Sequence, residues 1–133
     1  MPALKNPSRI KPIIDEAIKY DIKHSADAEQ QVIVHCKYAA SVEGDMIRIW
    51  KSTFLYARDS SHKSGLVNTQ KISIYPEWTL IEASNTFYFT LIFSGLPRSC
   101  KAFDLIENIP EPGGFFVTNI NRKNVDVYNI DIA

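Results

Sequence analysis

Residues 86–107 read TFYFTLIFSGLPRSCKAFDLIE, and this stretch decides the fold. Phe87, Phe89, Leu91 and Phe93 fall on alternate positions, and alternate side chains of a strand share one face. Thr86, Tyr88, Thr90 and Ile92 take the other face. Both sets are β-branched or aromatic, which suits a strand far better than a helix. Ser94-Gly95-Leu96-Pro97 ends it, because glycine relaxes the backbone and proline removes a donor. Phe103 and Leu105 then share a face of a second strand. The spacing permits two adjacent antiparallel strands or two strands that cross between sheets.

Outward from this centre the same pattern recurs. Residues 31–40 alternate, with Val32, Val34, Cys36 and Tyr38 on one face and Ile33, His35 and Lys37 on the other. Residues 46–50 and 53–56 form short strands around Lys51-Ser52, and 58–65 (RDSSHKSG) form a polar loop. A strand over 66–75 carries the apolar pair Ile72 and Ile74, and 79–81 pair briefly after the Pro76 break. Residues 115–120 and 125–132 are the last strands, joined by a hairpin turn at 121–124. Residues 1–12, with three prolines, read as an arm. Residues 13–23 fit either a helix or a strand, and a strand from Ala17 is preferred because a sheet is there to be joined. About nine short strands at roughly 8–12-residue spacing give an all-β class. The first choice is an immunoglobulin-like β-sandwich of about 7–9 short antiparallel strands over 13–133, the second a small β-barrel. The core is expected to hold Phe87, Phe89, Leu91, Phe93, Phe103 and Leu105, with Val32, Val34 and Ile49 nearby.

A chain of 133 residues makes a single domain. It is long enough to bury roughly two-thirds of its unfolded surface without a disulfide or metal. Fifteen basic and fifteen acidic residues cancel, so no global field favours nucleic acid or an anionic membrane. A net charge near zero gives little colloidal repulsion, so a homo-oligomer is a fair expectation. No apolar run is long enough for a transmembrane segment. The opening MPALKNPSRIKPIIDEA has no signal-peptide core. A cytoplasmic location is the default, and a periplasmic or envelope one follows if an export signal has been removed.

No stretch carries a catalytic, metal or nucleotide signature. Cys36, Trp50 and Cys100 have the order of an inter-sheet disulfide beside an indole, but a tyrosine corner would put Tyr at 98, where Arg98 stands. The expectation is two unpaired thiols. His35 and Cys36 are strand neighbours and face opposite ways, so they share no proton. His24, His35 and His62 lack metal-ligand spacing, so no metal and no cofactor are expected. Asp104 and Glu107 also face apart, and nothing fixes the separation of Glu107 from Glu111, so both read as solvated carboxylates at a strand end. SSHKSG lacks the glycines of a phosphate-binding loop. Tyr75 and Trp78 flank Pro76, and half-exposed flat rings there make a ligand-binding platform for sugars or peptides. The competing reading folds Trp78 back to cap the core.

The run IYPEWTL…FTLIFSGLPRSCKAFDLIE, with DVYNIDI near the end, resembles an uncharacterised family of bacterial all-β domains. Domains similar to these stand beside thioredoxin-like domains in exported proteins. The resemblance covers residues 18–132 and implies a β-sandwich in an envelope setting. It supplies no activity and no functional residue, and the absence of a CxxC here argues against a redox role. The functional expectation is a non-catalytic binding or protein-interaction module, not an enzyme, with a protein or carbohydrate partner. The alternative is a structural self-associating subunit, and a small Cys/His-dependent enzyme ranks last.

Overall fold

The computed structural model describes residues 30–132. The arm at 1–12, the segment 13–23 and His24 lie outside the described residues. From Gln31 onward the chain forms one compact unit. It is all-β, as the alternation requires, with nine strands among the described residues. They are β1 (Val32–Ala39), β2 (Asp45–Ile47), β3 (Thr53–Ala57), β4 (Lys63–Gln70), β5 (Thr79–Ile81), β6 (Thr86–Phe93), β7 (Ala102–Glu107), β8 (Phe116–Asn121) and β9 (Val127–Ile132). No helix long and apolar enough to cross a membrane occurs among the described residues.

Seven strands form one sheet in the order β9-β1-β6-β4-β3-β7-β8, and β2 pairs with β5 in a second, small sheet. β4 is the corner. Its first residues, Lys63–Gly65, pair with β3, and Leu66–Gln70 pair with β6. An extra residue, Val67, interrupts the register between them, and such a bulge bends a strand and adds twist. The sheet therefore folds over on itself. Phe103 of β7 meets Tyr128 of β9 edge-on, with ring centroids 5.1 Å apart. β6 and β7 thus lie in different halves of the fold, which selects the crossing alternative for residues 86–107.

The core follows the expected faces. Val32, Val34, Ile49, Phe89, Leu91, Phe93, Phe103 and Leu105 are buried, joined by Leu55 and Leu96, while Phe87 is only partly covered. β1 and β6 pair antiparallel over their full lengths, from Val32↔Phe93 to Ala39↔Thr86. Cys36 and Cys100 are both buried and both free.

Four readings need correction. The hairpin over 115–132 does not form: β8 pairs with β7, and β9 crosses to pair parallel with β1. The cause is Arg122. Its guanidinium donates to the carbonyls of Leu96, Pro97 and Cys100 and to Asp126, which carries the chain across the end of the fold. The pairing is therefore not wholly antiparallel. The polar loop is shorter than 58–65, because strand pairing begins at Lys63 and Ser64 points inward. Its hydroxyl donates to the Gly95 carbonyl at 2.7 Å, which pays for its burial. Finally, the strand over 66–75 stops at Gln70, where Lys71 turns the backbone at φ 74°. Ile72 still reaches the core, and Ile74 bridges Ile49.

Candidate functional site

The segment Arg48-Ile49-Trp50 is extended, so its outer residues share a face and Ile49 takes the other. Ile49 is buried. Its N–H donates to the Ser73 carbonyl at 2.9 Å, and its carbonyl accepts the Tyr75 N–H at 2.8 Å. This lashing lays Trp50 on Tyr75, with centroids 3.8 Å apart and planes 25° from parallel. The Tyr75–Pro76 peptide bond is cis. Tyr75 and Trp78 are both exposed, at 45 % and 46 % of their surface.

Arg48 binds these rings together. Its guanidinium carbon lies 3.7 Å from the Trp78 centroid, 4.5 Å from that of Tyr75 and 5.9 Å from that of Trp50. All three are within the range of cation–π attraction. One nitrogen also donates to the Pro76 carbonyl at 3.0 Å, and another lies 3.8 Å from Glu111. The sequence platform of Tyr75 and Trp78 is thus brought together with Trp50 but not with His62, and Arg48 is the member that sequence reasoning missed. The signal was present in the alternation of RIW about a core isoleucine.

The stack stands beside a cleft of about 230 Å³, lined by Arg48, Trp50, Trp78, Glu107, Glu111 and Phe115 among others. Glu107 overturns the solvated-carboxylate reading, since it is only 6 % exposed. It occupies the same alternate set as Phe103 and Leu105, which carries it inward at the end of β7. One carboxylate oxygen accepts the Trp50 N–H at 2.9 Å and the other the Phe115 N–H at 3.0 Å. Burial pushes its pKa above the ordinary carboxylate value, while those two donors and Arg48 pull it back and Glu111 pushes with burial. Gly114 lets the opposite wall approach, because a Cβ there would stand 2.5 Å from the Glu107 carbonyl oxygen. Glu107 therefore holds both walls of the cleft in place. Glu111 lines the same cleft and is half exposed.

The remaining polar groups are otherwise engaged. His35 is exposed and 2.8 Å from the Thr90 hydroxyl, while Cys36 lies on the buried face. Burial raises the Cys36 thiol to about 12, so it stays protonated and non-nucleophilic at neutral pH. His62 stands 2.9 Å from the Ser64 hydroxyl, the contact expected of a base and a nucleophile. Ser64 is wholly buried with its proton committed to Gly95, so this pair fastens β4 to the turn after β6. Among the described residues no group of three His, Cys, Asp or Glu side chains could hold a metal ion. What the cleft offers is flat ring faces, a fixed guanidinium and an accessible carboxylate, which can stack and hydrogen-bond. No protein-family model, curated protein or solved structure matches the chain.

Proposed function

We propose that the domain is a non-catalytic binding module whose contact site is the rim formed by Trp78, Tyr75 and Arg48. In this reading it works as immunoglobulin-like modules do, by residues on connections at one end of a β-framework. The observation that carries the reading is the Arg48 stack: two half-exposed rings are held in fixed orientation at the mouth of a cleft. Rings fixed in advance lose little freedom on binding, so their surface converts efficiently into affinity. The partner is a protein segment or carbohydrate that lays a flat or apolar face on Trp78 and reaches Glu111.

The chain has two tryptophans, Trp50 and Trp78, and both line this cleft. Tryptophan emission therefore reports on this cleft and on the adjoining groove that shares Trp78. Titration with panels of soluble oligosaccharides and of synthetic peptides should find a member that shifts the emission. Trp78→Ala should weaken that member by about 2 kcal/mol or more, the loss typical of a central aromatic anchor. A partner that binds without changing the emission, and equally well to Trp78→Ala, would rule the rim out.

A further inference from the structure

The formal net charge of zero conceals a segregation of charge along the strands. At one end, the turn after β1 and the small β2–β5 sheet form an open groove of about 450 Å³. Met46 and Leu80 are paired across that sheet, so their side chains stand side by side on one face. They are 53 % and 75 % exposed, and with Trp78 they make the apolar floor. Glu43, Asp45 and Glu82 also line the groove, and no lysine or arginine does. Asp45 accepts hydrogen bonds from the Ser41 N–H and the Tyr38 hydroxyl, which hold it ionised. Gly44, at φ +85° and packed on the Ile81 carbonyl, fixes the turn that presents Glu43. An exposed apolar floor with a one-signed rim is the anatomy of an interaction surface.

At the opposite end of β1 and β6, Arg98, Lys101, Arg122 and Lys123 line a second cleft, of about 260 Å³. The two ends lie eight strand residues apart, or roughly 26 Å. Arg122 is committed to Asp126 and three carbonyls, whereas Lys101 and Lys123 are exposed. Lys123 is followed closely by Val125, which is 68 % exposed on the same connection. This tip therefore offers an exposed apolar side chain two residues from a lysine on the same connection, beside a cleft lined by cations.

We infer that the acidic, apolar-floored groove docks the Lys123–Val125 tip of a second copy of this chain, so that copies associate head to tail. Val125 would lie on Met46 and Leu80, with Lys123 and Lys101 facing Glu43, Asp45 and Glu82. Groove and tip are different surfaces, so the contact is heterologous and can propagate. The groove shares Met46 and Trp78 with the rim cleft, but the inference needs none of that cleft's binding activity.

Sedimentation of the full chain over a range of concentrations tests this. Wild type should show a growing series of oligomers that raised salt suppresses. Leu80→Ser should weaken each contact about tenfold, the worth of burying one leucine. Two doubly charge-reversed variants then supply the decisive measurement. Glu43→Lys with Glu82→Lys disables the groove but keeps the tip, and Lys101→Glu with Lys123→Glu does the converse. Each alone should be monomeric, and their mixture should associate again, because the native tip meets the native groove and the reversed tip meets the reversed groove. All four positions are surface side chains, and unchanged thermal melts would show that folding is intact. A wild type that stays monomeric throughout, association that survives either reversal alone, or a mixture that stays monomeric would overturn the inference.

Discussion

Glu107 carries a charge at a position patterned as core. Its two oxygens stitch Trp50 and Phe115 to the end of β7, so the cleft walls depend on one side chain. Burial is the largest influence on its pKa and raises it above the value of 4.5 expected of an exposed glutamate. The folded state therefore holds this proton more tightly than the unfolded chain. The stability this adds is complete in acid, and it is lost as pH rises from about 4.5 through the raised folded value. Glu107→Gln cannot titrate, so its urea midpoint should lack that decline, read as the difference from wild type across the acid range. At neutral pH the variant should still be less stable by about 1–3 kcal/mol, because an amide nitrogen cannot accept one of the two main-chain N–H groups. A parallel pair of midpoint curves would show that Glu107 does not titrate in this window. The inward direction of residue 107 was legible in the alternation of FDLIE. Its partners were not, because Trp50 and Phe115 are distant in sequence and join it only through the folded sheet.

Among the elements, the connection from β8 to β9 does the most to set topology. Arg122 and Asp126 are an ion pair with side chains only 11 % and 6 % exposed. The Tyr128 hydroxyl donates to the same carboxylate at 2.7 Å, and burial raises that phenol to about 12, so it remains a donor at neutral pH. The arginine also closes the turn after β6 through three carbonyls. Arg122→Ala would leave Asp126 charged and buried without its partner, and should cost about 3–5 kcal/mol in chemical denaturation. Arg122→Lys should recover little, since a single ammonium cannot span the positions the planar fork reaches. A loss below about 1 kcal/mol for either variant would mean that solvent enters and replaces the network. Strand existence was legible here from VYNIDI and its neighbours, but pairing was not. Residues 121–124 have turn composition, and the long-range contacts of Arg122, together with the ladder between β9 and β1, hold them out of a hairpin. The bulge in β8 was equally hidden: Asn119 takes a left-handed conformation at φ 57° and donates its N–H to Asp104.

For the molecule as a whole, a seven-stranded sheet bent at β4 packs buried residues of both halves into one core cluster. The two thiols can report whether it opens as a unit, because Cys36 lies on β1 and Cys100 just before β7. Both are about as buried as the central phenylalanines. Under native conditions an aromatic disulfide reagent should label them at one common rate, set by global unfolding, with two groups found in denaturant. Two distinct rates would mean that the halves open separately. The all-β class and the core faces were legible from period-two alternation alone, since each strand reveals its own inward set. The order of strands was not, because alternation says which face is inward and nothing of which neighbour lies alongside. The parallel pairing of β9 with β1 joins the first and last described strands, Val127↔Ile33 to Ile132↔Tyr38. During synthesis β1 therefore lacks this neighbour until β9 has left the ribosome. A ribosome stalled within β9 would leave β1 without that strand, and a strand edge lacking its partner is a template for aggregation and a natural target for chaperones.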